Sequence, residues 1–277
     1  MRALRHVIGV VAVAVAVFPL VFVVSASVNP QGTLTGSNSL FSEISVDHYV
    51  TLFRDSLHPF PLWFLNSLVI GLTTSAGSVF LGACAAYAFS RFRFRGRRAG
   101  LVGLVFVQLF PQVLAYVALF LLLSAVKEVF PPLGLGSRLG LVMVYLGGAL
   151  GVNTYLMKGF LDSIPRELDE SAQIDGASHA RIFFRVLLPL AAPILVVVAL
   201  FSFVATMNDF VIAGLVLTDP DQQTLAVGLY QLISYQFGQN WGVFAAGALL
   251  GSLPVLVLFQ FLQRYIVGGL TSGAVKS

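Results

Sequence analysis

Six stretches of this chain, about residues 7–28, 62–89, 100–124, 139–157, 190–217 and 241–267, are long, apolar and almost free of charge. A helix needs about 20 apolar residues to cross the hydrocarbon core of a bilayer, and each stretch meets or approaches that length. The expected fold class is therefore an all-α integral membrane protein, a single domain over residues 1–277 with six transmembrane helices. Composition agrees: 57% of the residues are hydrophobic and 10% charged, where a soluble domain carries about a quarter charged residues. Most of that apolar surface has to face lipid or other spans.

The first run follows Arg2, Arg5 and His6 and ends in the small residues Ser25, Ala26 and Ser27. A signal peptide shares that grammar, but its apolar centre is about 7–15 residues, shorter than this one. The expectation is an uncleaved span. The second run is rich in Gly, Ala, Ser and Thr, which suits close packing inside a bundle, and Gly147 and Gly151 give the fourth a GxxxG spacing. The segments 29–61 and 218–240 read as polar connections.

Lysine and arginine set the orientation. With the N-terminus inside, thirteen of the sixteen fall in inner segments, five of them in Arg91-Phe-Arg-Phe-Arg-Gly-Arg-Arg98, and only Arg54, Lys127 and Arg138 fall outside. Both termini are expected in the cytoplasm of a bacterial cell membrane. The arginine run reads as a topology signal that also meets lipid headgroups, and the formal charge of +4 carries no nucleic-acid implication.

No catalytic or metal constellation is visible. The four histidines are scattered, Cys84 is alone in an apolar run, and no phosphate-cradling G-x-x-x-x-G-K-[ST] occurs. Cofactors are expected to be absent from this chain, and any ATPase driving it must be a separate polypeptide.

One polar island interrupts the apolar sequence, Leu161 to Pro189, within an expected cytoplasmic loop 158–189. It reads as two short helices joined at Gly176. Ser163 and Pro165 suit the start of the first, whose Leu161, Ile164, Leu168 and Ala172 form a stripe, with Arg166, Glu167, Asp169 and Glu170 on the wetter side. Gly176 permits the turn, Ser178 caps the second helix, and Ile182, Phe183, Val186 and Leu187 make its apolar stripe. Ala172, Gly176 and Ile182 also fit the spacing of a DNA-binding helix-turn-helix. Five acidic residues against three arginines argue against that reading, because DNA affinity rests on cationic contacts to phosphate.

Glu170-Ser171-Ala172, then Gly176 and Val186-Leu187-Leu188-Pro189, resemble the E-A-A-x3-G-x9-I-x-L-P motif of ABC importer permeases, with Ser171 for the middle alanine and Val186 for the isoleucine. The stretches Asn153–Phe160 and Asn208-Asp209-Phe210 are similar to carbohydrate-importer permeases, and Thr224–Gly228 and Gly269–Ser277 resemble their maltose-type, MalG-like group in particular. The resemblance implies a permease subunit without its own ATPase site, importing a carbohydrate such as maltose, maltodextrin or a related oligosaccharide by alternating access. It implies as partners a second permease subunit, two ATP-binding subunits that hold ATP and Mg, and an extracytoplasmic sugar-binding protein. In it, Glu170, Ser171, Ala172, Asp175, Gly176, Leu188 and Pro189 form a coupling-helix pair between spans four and five that docks in the ATP-binding subunit, and the tail from Gly269 extends toward the same subunits.

On that reading Ser171 and Ala172 are small enough to enter a groove, Glu170 meets a basic group of the ATPase, and Gly176 sets the angle between the helices. Leu188 and Pro189 tie the pair to span five. Within the membrane Asp209, beside Asn208, is the notable ionisable group, with a structural role weighed equally against substrate contact. Gln108, Tyr116 and Tyr145 are further candidate groups of the translocation path. The rival class, an ion- or proton-coupled secondary transporter, wants several buried ionisable residues or broken repeats, and Asp209 is the one clear intramembrane carboxylate.

Overall fold

The computed structural model describes residues 2–31, 40–234 and 240–274, and no strand occurs among them. The helices are α1 (Arg2–Val28), α2 (Asp47–Arg54), α3 (Phe60–Arg91), α4 (Arg97–Leu109), α5 (Gln112–Val129), α6 (Arg138–Ser163), α7 (Glu167–Ile174) and α8 (His179–Leu190), followed by α9 (Ala192–Asn208), α10 (Val211–Val216), α11 (Leu225–Ser234) and α12 (Trp241–Ala274). Among the described residues α1, α3, α6 and α12 are each long and apolar enough to cross a membrane alone. The number rises to six when two bent pairs, α4 with α5 and α8 with α9, each count as one crossing.

Both bends have a local cause. Between α4 and α5 the axis turns by 101°. Pro111 forces Phe110 out of the helical region, to ψ 130°, and lacks the N–H that would continue the helix. Between α8 and α9 the turn is 78° at Ala191, which sits between Pro189 and Pro193. Pro193 cannot donate back to the preceding turn, so the chain breaks and restarts.

The chain divides into two units. The first comprises Met1–Asn66 and Asp219–Pro254. Trp63 is fully buried, donates from Nε1 to the Pro220 carbonyl at 2.9 Å, and lies on the bare backbone of Gly228, where a Cβ would come within 2.1 Å of the indole. Asn66 donates its side-chain amide to the carbonyls of Asp221 and Gln223 at 2.9 and 3.0 Å. Leu52, Phe60, Leu225, Leu229, Leu232 and Val243 complete this core. The segment expected as a polar connection from 218 to 240 thus contains α11, because Leu225, Leu229 and Leu232 recur at helical spacing and bury one face. The segment 29–61 likewise contains α2, whose His48 and Leu52 turn inward. The apolar side chains of α1 from Val7 to Leu20 stay exposed, as suits a surface in contact with lipid.

The second unit comprises Ser67–Thr218 and Val255–Ser277. Small residues on α3 let other helices come close: a Cβ on Gly71 would stand 2.9 Å from Phe203 of α9, and one on Gly77 2.8 Å from Leu146 of α6. The GxxxG pair of α6 divides its labour. Gly151 receives α4, with a Cβ there only 3.0 Å from the Leu104 carbonyl, while Gly147 has open space beside it. A core of Ala83, Ala86, Tyr87, Met157, Leu161, Ile182, Leu187 and Val198 gathers α3, α6, α8 and α9.

Candidate functional site

The polar island begins where α6 ends. That helix runs past residue 157 to Ser163, whose hydroxyl donates back to the Phe160 carbonyl at 2.6 Å. Ser163 therefore closes α6 instead of starting the next helix. Ile164 is pushed to an extended conformation (ψ 124°) by the proline that follows it, and α7 starts at Glu167.

The turn out of α7 is a Schellman motif. Gly176 takes φ +80°, its N–H donates to the Gln173 carbonyl at 2.9 Å, and the Ala177 N–H donates to the Ala172 carbonyl at 2.9 Å. A Cβ on Gly176 would meet nothing within 4 Å, so what the position demands is backbone conformation and not room. Ser178 then caps α8, its Oγ accepting from the Arg181 N–H at 3.4 Å. Residues Phe183–Leu187 of α8 form a π-helical turn. The expected stripe holds there, with Ile182, Phe183 and Leu187 buried and Val186 packed on the same core. Tyr87 of α3 stacks on Phe183 with ring centroids 5.0 Å apart.

Glu170, Ser171, Asp175, Gly176 and Pro189 are exposed, whereas Leu188 is half-buried against the core. Ala172 is turned partly toward that same core, so the small side chain offered outward is Ser171. Leu168, expected in the inward stripe, is 43% exposed, and Asp169, expected on the wet side, is buried instead. Its carboxylate forms a 2.5 Å ion pair with Arg91, the last residue of α3. Ile174 is 87% exposed at the tip of α7. The inward stripe passes over it, and a large aliphatic side chain left outside that stripe was the available sign of a surface role.

Arg91 was counted with the exposed arginine run. Its side chain is only 7% exposed, and besides Asp169 it donates from Nη1 to the Leu161 carbonyl and from Nη2 to that of Ile164, both at 3.0 Å. Ser90 donates to Asp162 Oδ1 at 2.6 Å, Lys158 pairs with the other oxygen of Asp162, and Arg166 donates to the Ser90 carbonyl at 3.0 Å.

Deeper in the same unit lies a cavity of about 1140 Å³, above the roughly 300–1,000 Å³ of ordinary ligand pockets. Its walls are mostly apolar, and it brings together Gln108, Tyr116, Tyr145 and Asp209 with Thr74, Ser202 and Thr206. Asn208 is not part of the lining and donates its side-chain amide to the Val204 carbonyl at 2.9 Å. Gln108 donates to the Gly148 carbonyl at 2.7 Å, bracing α4 on α6.

Asp209 stands in a second interruption, between α9 and α10, where its own backbone is extended (ψ 121°). Oδ1 accepts from the N–H groups of Val211 and Ile212 at 3.2 and 3.3 Å. Oδ2 accepts from the Ala213 N–H at 3.1 Å and the Tyr145 hydroxyl at 2.5 Å. All four acceptor positions of the carboxylate are in use, three of them at the positive end of α10. Its structural role is thus visible. No group of three or more His, Cys, Asp or Glu placed to hold a metal occurs among the described residues.

Residues 78–271 match the family model described as binding-protein-dependent transport system inner membrane component. The chain is 44% identical over 262 residues to the galactooligosaccharides transport system permease protein GanQ of Bacillus subtilis (strain 168), covering 94% of this chain and 90% of that one. It is 39% identical to the maltose/maltodextrin transport system permease protein MalG of Yersinia pestis, over 98% of this chain and 92% of the relative. A chain of a bacterial ABC transporter involved in the import of the acidic polysaccharide alginate superposes with a TM-score of 0.80 over 95% of each chain, at 22% identity. The chain is a permease component and not itself an enzyme. It belongs to the family of binding-protein-dependent transport system inner membrane components.

Proposed function

We propose that this chain is one of two permease subunits of an ATP-binding-cassette importer that moves a neutral oligosaccharide into the cytoplasm by alternating access. Separate ATP-binding subunits, carrying ATP and Mg, dock on α7 and α8. A second permease subunit and an extracytoplasmic sugar-binding protein complete the assembly, in the bacterial cytoplasmic membrane with both termini inside. Maltose, maltodextrin and galactooligosaccharide are the substrates named for the relatives, and all fall in the neutral oligosaccharide class.

The observation that carries this reading is the exposed ridge of the island. Glu170, Ser171, Ile174 and Asp175 point away from the chain's own core, while Asp169, Ile182 and Leu187 anchor the same two helices to α3 and α6. An apolar tip ringed by carboxylates suits a groove with basic edges, where charge-assisted contacts orient the dock. The large cavity with aromatic and hydroxyl-bearing walls is the candidate translocation path. Gln108, Tyr116 and Tyr145 offer the polar edges and ring faces that sugars take, and Asp209 shapes the wall as the cap of α10.

The secondary-transporter alternative gains no support from Asp209, whose lone pairs are all committed to hydrogen bonds. The test is purification in mild detergent with the partner subunits, followed by sugar-dependent ATPase measurement. A copurifying ATPase stimulated by sugar-loaded binding protein is the expected result. Transport without any associated ATPase would overturn the proposal.

A further inference from the structure

Arg91 lies outside the Glu170–Pro189 motif, yet its side chain links three segments at the island. It ends α3. Its Nε pairs with Asp169 in the first turn of α7, while its two Nη groups hold the carbonyls of Leu161 and Ile164, where α6 finishes. Arginine alone has a planar fork able to serve three acceptors in fixed directions, and lysine supplies only a mobile point charge. The two charges also sit where helix ends favour them: the guanidinium at the carbonyl end of α6, and the carboxylate at the N–H end of α7.

The rest of the junction reinforces the same connection. Ser90 is held by Asp162 of α6 through its hydroxyl and by Arg166 through its carbonyl, tying the residue before Arg91 to both sides of the Ile164–Pro165 link. The side chains of Arg91 and Asp169 are 7% and 11% exposed. Separating them strands two charges away from water, so a displaced α7 has to take the ends of α3 and α6 with it.

We propose that the Arg91–Asp169 pair is the joint through which movement of α7 and α8 is passed to the membrane helices, with Arg91 a positioning residue for transport. The inference rests on the importer reading above and goes beyond it in naming the contact that transmits the motion. It separates two tasks: the exposed ridge binds the ATPase, and the buried pair makes binding move the bundle.

The test uses the assembled transporter in proteoliposomes, with Arg91→Lys, Asp169→Asn and Asp169→Glu beside the unchanged chain. Copurification of the ATPase, basal ATP hydrolysis, its stimulation by sugar-loaded binding protein, and transport are all measured. Arg91→Lys and Asp169→Asn should keep the ATPase bound and hydrolysing at its basal rate, while stimulation and transport fall about tenfold to a hundredfold. Asp169→Glu, which retains the carboxylate, should recover most of both. A general loss of folding would lower ATPase binding and the basal rate as well, so the split between basal and stimulated rates reports the joint and not mere stability.

Normal stimulation and transport in both Arg91→Lys and Asp169→Asn would overturn the proposal. So would loss of the bound ATPase in Asp169→Asn with membrane insertion and thermal midpoint unchanged, since the pair would then build the dock itself. If the unchanged chain retains no ATPase, the importer reading fails, which is a distinct result from failure of the joint alone.

Discussion

The junction around Arg91 and the walls of the large cavity belong to the same unit and are built on opposite plans. At the junction, charged and hydroxyl groups are dense and cross-linked over three helix ends, around the buried Arg91–Asp169 pair. Around the cavity polar groups are sparse, and the helices are interrupted: α4 gives way to α5 at Phe110 and Pro111, and α9 to α10 at Asp209. A cross-linked junction resists relative motion of the elements it joins. A wall made of broken helices supplies hinge points. Charged cross-links are thus concentrated where α3, α6 and α7 meet, whereas two helix breaks flank the empty space.

That contrast can be broken by mutation. Arg91→Leu leaves Asp169 buried without its partner, so unfolding in detergent should become easier by about 3–5 kcal/mol, seen as a lowered thermal midpoint. A change below 1 kcal/mol would mean that water reaches the junction and that it is no tighter than the cavity wall. Asp209→Ala removes the acceptors for three N–H groups of α10 and should cost about 2 kcal/mol by the same measurement. Tyr145→Phe leaves those three bonds in place and should cost less than Asp209→Ala.

Gly176→Val strains a residue at φ +80° by about 1–2 kcal/mol, with no steric contact to add to it. Insertion should survive while transport falls relative to ATP hydrolysis. Normal transport by that variant would sink the docking role of the turn. The smallest effect belongs to Gly147→Ala, which faces open space on α6 and should change stability by less than about 0.5 kcal/mol. Gly151→Ala on the same helix should cost more, because its Cβ would press on Leu104 and Gln108 of α4. Equal costs for the two would mean that the cavity beside Gly147 closes in the folded protein.

What could be read from the chain follows how local each cause is. The Gly176 turn, the Ser178 cap and the Ile182–Leu187 stripe depend on neighbours within a few residues, and all three are present as the spacing implies. Asp169 was placed on the wrong side because periodicity cannot weigh a partner that lies 78 positions earlier, and Arg91 looked like one more member of a basic run. Tyr145 and Asp209 were each singled out, but their bond joins residues 64 apart and left no trace in either local context. Pro111 and Pro193 sit at the two breaks but inside apolar stretches that read as continuous spans. Apolar length alone could not reveal the bends, because lipid demands a span of a given length and leaves open whether it is straight. Helix α11 was missed inside a segment whose polar ends hid a short amphipathic centre.

The amide of Asn66 has a consequence for how this protein is made. Its carbonyl partners at Asp221 and Gln223 are synthesised more than 150 residues later, as is the Pro220 carbonyl that receives Trp63. At about 5–20 residues per second, the N-terminal end of α3 waits roughly 8–30 s on the ribosome before those partners exist. Membrane insertion of the early helices therefore precedes closure of the first unit, and a truncation before residue 220 leaves Trp63 and Asn66 without the carbonyls that hold them.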